Sequence, residues 1–435
     1  MKLTPILVGA FSLALAVSAS AQTLTIATVN NDDMIRMQGL SPAFTEATGI
    51  ALNWVVLEEN TLRQNVTTDI ATNGGQYDVM TIGTYEAPTW AKQNWLVPLD
   101  GLSADPAYDV NDLLPPIRGG LSLDGKLYAA PFYGESSMVY YRKDLMEKAG
   151  LTMPDAPTWE FIGQAARAMT DRAADVSGIC LRGKAGWGEN MAFITAMSNS
   201  FGARWFDENW QPQFNTPEWK NTLDTYLSLM ADAGPPGASS NGYNENMTLF
   251  QQGKCGMWID ATVAASALIG PNSTVADQVG FALAPDNGLG KRGNWLWAWA
   301  LAIPASSQNK EAAEKFLNWA TNKDYLATVA AKDGWASVPP GTRASLYANP
   351  EYQAAAPFAK MTLDSINSAD PTKPTVKPVP YTGVQFVAIP EFAGIATNVG
   401  QLFSAALAGQ MSADDALAQA QESTLRDMTR AGYIK

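Results

Sequence analysis

The alternation of strand-like and helix-like segments near the N-terminus constrains the fold most. Apolar or β-branched runs at 24–29, 50–57 and 78–82 are separated by stretches with helical patterning. The order βαβαβ calls for a parallel sheet covered by helices. Such sheets bind ligands in the loops that follow the carboxyl ends of their strands. The loops after the first and third strands, which carry Asn31 and the pair Tyr85-Glu86, are therefore candidate binding loops.

The segment 131–145, PFYGESSMVYYRKDL, predicts a crossing between two lobes. It begins with proline and two aromatic residues and continues as an apolar, tyrosine-rich strand. A chain that leaves one α/β lobe here would place Glu135 at the floor of a cleft. A carboxylate in an apolar run favours a buried partner, although a surface carboxylate at a strand end is the alternative. We expect a second crossing at Asp260 and a third at 321–324.

Composition excludes several classes of function. The 435 residues, 46% hydrophobic and 16% charged, are typical of a globular protein of two or three domains. A formal charge of −13 makes nucleic acid or an anionic membrane a poor partner and favours a soluble monomer. The chain has no histidine, which removes the usual general base and the commonest transition-metal ligand. We predict no cofactor and no metal among the site residues, while a structural metal in a lobe and catalysis by carboxylates alone stay open.

Export is indicated by the first 21 residues. Lys2, an apolar stretch at 6–17 and the small residues Ala19-Ser20-Ala21 form the pattern of a cleaved secretory signal, and a buried N-terminal helix is the alternative. Cys180 and Cys255 would then reach an oxidising compartment, where a pair usually bonds. Two free buried thiols are the alternative to this disulfide.

Aromatic, carboxylate and amide residues on loops are the remaining candidates for function. Trp187 lies between glycines, Asp260 ends an apolar strand, and Trp295 and Trp297 lie near a loop, with Trp299 assigned to the core. Indole rings pack on the C–H faces of sugars and sugar alcohols, and carboxylates accept hydroxyl hydrogen bonds. The set suits a polyhydroxylated ligand. Each residue has an ordinary alternative: a loop residue, a core residue or, for Asp260, a helix N-cap.

Seven motifs, in order along the chain, carry a resemblance to a known family. They are FTEATG (44–49), YDV (77–79), GKLYAAP (125–131), YRKDL (141–145), PTW (157–159), LFQQGKCGM (249–257) and AIPASSQNKEAAEKF (302–316). The chain resembles the periplasmic substrate-binding proteins of carbohydrate ABC transporters, the family 1 extracellular solute-binding proteins that include the maltose-binding proteins. Within it, TVNNDDMIRM (28–37), residues 84–88 and GNWLWAWA (293–300) resemble the sorbitol- and mannitol-type polyol binders.

The resemblance implies two α/β lobes, each a mostly parallel sheet flanked by helices, joined by three hinge crossings. Lobe 1 would comprise 22–132 and 260–322, and lobe 2 would comprise 133–259 and 323–435. The implied function is a periplasmic receptor, not an enzyme, that binds a linear sugar alcohol of the sorbitol, mannitol and arabitol class between the lobes. Its partner would be an inner-membrane permease.

The implied ligand-binding residues are Asn31, Tyr85, Glu86, Glu135, Trp187, Asp260, Trp295, Trp297 and Trp335. Tyr85-Glu86 stands where the maltose-type pattern has an acid–base pair, which favours a ligand smaller than a maltodextrin. Two alternatives stay open: a receptor for a mono- or disaccharide, and a secreted carbohydrate-active hydrolase.

Overall fold

The computed structural model describes residues 22–435. The predicted secretory signal at 1–21 lies outside the described residues. The strands are β1 Thr23–Val29, β2 Ala51–Leu57, β3 Val79–Gly83, β4 Ser122–Leu123, β5 Lys126–Leu127, β6 Ala130–Glu135, β7 Ser137–Arg142, β8 Met257–Ala261, β9 Val279–Leu283 and β10 Trp297–Ala302.

Helices cover the sheets and make up most of the C-terminal third. They are α1 Asp32–Leu40, α2 Pro42–Thr48, α3 Glu59–Ala71, α4 Glu86–Lys92, α5 Asp100–Ala104, α6 Pro115–Gly120, α7 Lys143–Lys148, α8 Trp159–Met169, α9 Asn190–Ser200, α10 Pro217–Ala233, α11 Tyr243–Gln251, α12 Ala265–Leu268, α13 Lys310–Thr321, α14 Lys323–Asp333, α15 Ala344–Ala348, α16 Pro350–Ala355, α17 Ala359–Ser368, α18 Phe392–Leu407 and α19 Ala413–Arg430.

Two larger sheets define two lobes. Lobe 1 is built on the sheet β2-β1-β3-β10-β6, and lobe 2 on the sheet β8-β7-β9. Strands β1, β2 and β3 pair in parallel, as the βαβαβ pattern predicts. The carboxyl ends of these three strands therefore lie at one edge, where the candidate loops begin. The two-lobed α/β fold is confirmed.

The expectation of mostly parallel sheets is wrong for lobe 2. Strand β7 pairs antiparallel with both β8 and β9, and in lobe 1 β10 is antiparallel to β3 and β6. Short apolar runs identify a strand but carry no information on its direction, so the pattern of the first 82 residues did not extend to the rest.

The chain passes between the lobes at Ser136. Strand β6 ends at Glu135 in one sheet and β7 begins at Ser137 in the other. The Ser136 carbonyl accepts from the Thr262 amide at 2.8 Å, and its hydroxyl donates to the Trp295 carbonyl at 2.6 Å. Three segments of the chain, around Ser136, Thr262 and Trp295, thus meet at one point next to Glu135.

Two predicted boundaries differ from the strand pairing. Strand β9 lies in the sheet of lobe 2, so the segment 260–322 is not a single piece of lobe 1, and the chain returns to lobe 1 only between β9 and β10. Beyond 322 the chain stays on lobe 1 for some distance, because Arg343 donates to the carbonyls of Tyr108 and Thr321. Sequence patterns mark elements well, but they do not show which sheet a strand joins.

Local signals in the sequence account for several helix ends. Gly49 ends α2 with a φ of 73°, a left-handed conformation that glycine adopts without strain. The Thr158 side chain accepts from the Phe161 amide and begins α8. The buried face of α8 includes Ile162, Ala165, Ala166 and Met169, as its periodicity predicts.

Candidate functional site

A cavity lies between the lobes, beside the crossing at Ser136. Lobe 1 contributes the loops after β1 and β2 and side chains of α3, β6 and β10. Lobe 2 contributes residues 182–192 and the N-terminal turn of α11. The parallel pairing of β1 and β2 brings their two loops to the same edge, so the cavity occupies the position that open α/β sheets use for ligands.

Five of the nine predicted site residues line this cavity. They are Asn31, Glu135, Trp187, Trp295 and Trp297. Asn31 caps α1 by accepting from the Met34 amide, and its side-chain amide donates to the Tyr133 hydroxyl at 3.0 Å. Glu135 accepts from the Trp295 indole at 3.3 Å. The sequence thus located the cavity and part of its wall.

Tyr85 and Glu86 lie behind the wall and not at the cavity surface. The Tyr85 hydroxyl donates to the Ile389 carbonyl at 3.0 Å, and its ring packs on Trp187 with centroids 4.9 Å apart. Glu86 binds Arg63 at 2.7 Å and accepts from the Gly83 amide. Tyr85 and Glu86 therefore support side chains that line the cavity. The loop that carries them follows β3, the central strand of the sheet, and lies behind those side chains.

Asp260 is likewise fully occupied by protein partners. It holds Arg182 through two hydrogen bonds of 2.6 and 2.8 Å, and accepts from the Trp258 indole and the Ala261 amide. Asp260 is completely buried. Arg182 itself lines the cavity, and Asp260 fixes the orientation of its guanidinium group.

Trp335 is not one of the residues that line the cavity. It begins a short turn of 3₁₀ helix after α14 and is only partly buried. Small neighbouring residues predict that a tryptophan ring is accessible. They do not indicate whether the ring is accessible at the outer surface or in the cleft.

Several lining residues were not predicted. They include Glu58, Glu59, Arg63, Arg182, Glu189 and Tyr243. Glu58 and Glu59 follow β2 as Asn31 follows β1. Ligands bind in the loops after the carboxyl ends of parallel strands, so the same argument could have identified these two residues. No pattern in the sequence indicated Arg63 or Arg182, whose positions depend on carboxylates 23 and 78 residues away.

One wall of the cavity combines indole rings with a guanidinium group. The Arg63 guanidinium lies 3.9 Å from the Trp187 ring centroid, 4.7 Å from that of Trp299 and 5.1 Å from that of Trp297. Trp299, assigned to the core from the sequence, lines the cavity together with Trp297 because alternate residues of β10 share a face. Cation–π contacts of this kind hold rings in fixed orientations.

Two buried carboxyl groups face the cavity with few partners. Burial raises the pKa of Glu135 to about 8, since the opposing charge of Arg182 is offset by Asp260 and Glu59. Burial and the neighbouring Glu59 also raise the pKa of Glu189, against the effect of Arg182. Glu189 Oε2 is buried without a hydrogen-bond partner. Protonated carboxyl groups both donate and accept hydrogen bonds, which suits the recognition of hydroxyl groups.

Cys180 and Cys255 form a disulfide within lobe 2, with Cα atoms 6.0 Å apart. Cys180 also bridges to Trp258 of β8. The bond therefore fixes the start of the segment that carries Arg182, Lys184 and Trp187 into the cavity.

Two further observations concern the described residues only. Between residues 22 and 435, no grouping of three acidic or cysteine side chains has the arrangement of a metal site. In the same part of the chain, no helix combines the length and apolar character needed to cross a membrane.

Comparison with known proteins identifies the family. Residues 31–327 match the family described as bacterial extracellular solute-binding protein. The chain belongs to this family. A curated relative, the mannitol-binding protein of Pseudomonas aeruginosa, is 59% identical over 417 residues, which cover 95% of each chain.

Solved structures of this family share the fold of the chain. A solute-binding protein from Agrobacterium vitis S4, with bound D-mannitol, is 73% identical with a TM-score of 0.95, over 95% of this chain and 100% of that one. A solute-binding protein from Agrobacterium radiobacter K84, in complex with ribitol, is 26% identical with a TM-score of 0.82, over 93% and 98% of the two chains. The similarity therefore extends over both lobes.

Proposed function

We propose that this protein is the receptor of an ABC importer and binds a linear sugar alcohol, with D-mannitol as its first candidate, in the cavity between the lobes. The observation that carries the proposal is the lining of that cavity. Carboxyl, amide and guanidinium groups alternate there with four indole rings, and Glu135 and Glu189 retain free hydrogen-bonding capacity. The names of the two relatives that bind mannitol support the same ligand class.

The chemistry of the cavity fits a neutral ligand rich in hydroxyl groups. Hydrogen bonds to charged groups contribute about 1.5–3 kcal/mol each, so a few of them are enough for tight binding. The lining holds the acids Glu58, Glu59, Glu135, Glu189 and Glu245 and the bases Arg63, Arg182 and Lys184. Each base is already paired with a protein carboxylate: Arg63 with Glu86, Arg182 with Asp260 and Lys184 with Glu58. A neutral ligand therefore needs no charge of its own to complete the site.

We propose that the two lobes close around the ligand by hinge bending, as in other proteins with two lobes and a ligand site between them. The side chains of both lobes would then surround the ligand together. The closed form would present to an inner-membrane permease a surface that the open form does not have. We further propose that the protein works as a monomer in the periplasm, after removal of residues 1–21.

A receptor for a mono- or disaccharide is the closer alternative. The wall of Trp187, Trp297 and Trp299 offers stacking area to a sugar ring as well as to an extended chain. We favour the linear ligand because one relative of high identity is named a mannitol-binding protein and another contains bound D-mannitol.

A carbohydrate-active hydrolase is the alternative of another class. A buried carboxyl group with a raised pKa, such as that of Glu135, is what a general acid requires. The family named above consists of solute-binding proteins, which favours binding without turnover. Release of chromophore from a panel of nitrophenyl glycosides would overturn the proposal that this protein is not an enzyme.

Isothermal titration of the chain from Gln22 onward tests the ligand class. The panel contains D-mannitol, sorbitol, D-arabitol, ribitol, glucose and maltose. We expect binding in the micromolar range or tighter for linear polyols and none for glucose or maltose. Binding of cyclic sugars alone would leave a solute receptor but overturn the polyol assignment. Size-exclusion chromatography with light scattering on the same samples tests the monomer.

A further inference from the structure

The N-terminal turn of α3 in lobe 1 meets one loop of lobe 2 across the mouth of the cavity. This loop comprises residues 184–189 and is called the closing loop below. Lys184 binds Glu58, the N-cap residue of α3, at 2.6 Å. The Asn60 side chain donates to the Ala185 carbonyl at 3.2 Å, and Arg63 lies over the Trp187 ring. All these contacts join one lobe to the other.

The closing loop is held firmly to its own lobe. The amides of Gly183 and Lys184 both donate to the Asn241 carbonyl. Asn190 accepts from the Gly186 amide and donates to the Gly400 carbonyl of α18. A loop fixed in this way moves with lobe 2 as a unit, so its contacts with α3 form and break with the opening of the cleft.

Lys184 has a special place among these contacts. Its ammonium group lies 2.6 Å from Glu58 of lobe 1 and 3.6 Å from Glu189, the cavity carboxyl group of lobe 2. Burial alone would raise the pKa of Glu58, but the hydrogen bond and charge of Lys184, together with the backbone amides of Thr61 and Asn60, hold this pKa below its ordinary value. The pair of Lys184 and Glu58 is therefore favourable where it stands, and it joins lobe 2 directly to lobe 1.

We propose that Lys184 is a positioning residue that holds the loaded cleft shut through Glu58 and so sets the rate at which the solute leaves. This inference rests on the proposed receptor function. It states that the ion pair of Lys184 and Glu58 controls how long the cleft stays closed. The pair is partly exposed, with 27% and 41% of the two side chains accessible. Partly exposed pairs contribute little, so we expect a modest rise in the dissociation rate, with a matching modest loss of affinity, and no abolition of binding.

The two glycines of the closing loop allow this approach. A Cβ atom on Gly186 would lie 2.5 Å from Asn60 Oδ1, and one on Gly188 would lie 2.2 Å from Glu59 Oε1. The Asn60 side chain is tied to the Ala185 carbonyl and has little freedom to move aside. Gly186→Ala would therefore keep α3 and the closing loop apart without adding or removing a charge.

The test is a double-mutant cycle on dissociation kinetics with D-mannitol as the probe. Lys184→Met, Glu58→Gln and the double variant are measured by stopped-flow tryptophan fluorescence at low and high salt. We expect each single variant to dissociate about two- to fivefold faster than the wild type, and the double variant no faster than either. The wild-type rate should rise with salt and the variant rates should not, because only the wild type retains the pair.

Lys220→Met is the matched control. Lys220 binds Asp414 at the same 2.6 Å, but both residues belong to lobe 2. Its removal should leave the dissociation rate unchanged. Gly186→Ala should speed dissociation as Lys184→Met does. Gly237→Ala should not, because Gly237 also has a positive φ but a Cβ there would meet no atom within 4 Å.

The outcomes separate the two proposals. If the wild type binds D-mannitol and the two single effects add fully, Lys184 and Glu58 act independently on the solute, and the closing pair is overturned. Equal dissociation rates for wild type and Lys184→Met would overturn it as well. If the wild type binds no polyol, the receptor function proposed above fails first, and the inference fails with it.

Discussion

Arg182 and Asp260 form a buried ion pair with two hydrogen bonds, of 2.6 and 2.8 Å, directly behind the cavity between the lobes. Asp260 is fully buried and Arg182 reaches the cavity with its guanidinium group. Burial disfavours the charge of Arg182, but the charge and hydrogen bonds of Asp260 raise the pKa of the guanidinium group well above its ordinary value. The pair orients a cationic donor that the ligand would meet.

Asp260→Asn should destabilise the fold. The substitution leaves the Arg182 charge buried without its counter-ion, and losses of about 3–5 kcal/mol are usual when one partner of a buried pair is removed. Urea unfolding of the ligand-free protein measures the change. The control is Asp144→Asn, which removes the partner of Arg142 at a site where 39% of the carboxylate side chain is accessible. That loss should stay below about 1 kcal/mol. Equal losses in the two variants would contradict the role given to Asp260.

Glu135→Gln should flatten the dependence of stability on pH. The pKa of Glu135 is raised from 4.5 to about 8 in the folded protein. Between these values the folded chain holds a proton that the unfolded chain has released, so the free energy of unfolding falls as pH rises through this window. Glutamine cannot titrate and removes this contribution. Unfolding experiments from pH 5 to 8 measure the slope.

The matched control for this slope is Glu160→Gln, which replaces an exposed carboxylate of α8. It should leave the slope of the wild type in place. Glu189→Gln should flatten the slope as well, because burial also raises the pKa of Glu189. A wild-type slope that Glu135→Gln does not alter would show that this carboxyl group is already ionised in the folded protein.

Sequence reasoning was most successful where a local pattern has one structural meaning. Parallel order of β1 to β3, the crossing at Ser136 and the loop of Asn31 follow from periodicity and strand ends. Asp260 shows the limit. An acid after an apolar strand is the same signal whether it faces a ligand or an arginine, and the arginine here is 78 residues away. Contacts between charged residues that are far apart in the chain depend on the tertiary structure, and the periodicity of the sequence does not reveal them.

Removal of the disulfide by Cys180→Ser with Cys255→Ser should lower stability and leave ligand contacts in place. The bond closes a loop with a sequence separation of 75 residues. The chain-entropy estimate for such a loop is about 4 kcal/mol, and measured losses are often smaller. Urea unfolding of the wild type with and without a strong reductant should give the same loss as the double variant. Two thiols titrating in the denatured, unreduced wild type would show that the bond is absent.

Trp335→Ala should leave the affinity for D-mannitol within about twofold of the wild type, although the sequence placed this residue in the site. Trp335 is outside the cavity, and its removal changes neither the lining nor the closing loop. Trp187→Ala, in contrast, removes a ring from the wall and the partner of Arg63. We expect its affinity to fall by at least about tenfold, or ~1.4 kcal/mol. Titration calorimetry measures both variants, and circular dichroism verifies that each is folded. A tenfold loss in Trp335→Ala would mean that this residue reaches the ligand after all, because the cavity extends further toward α14 in the loaded form.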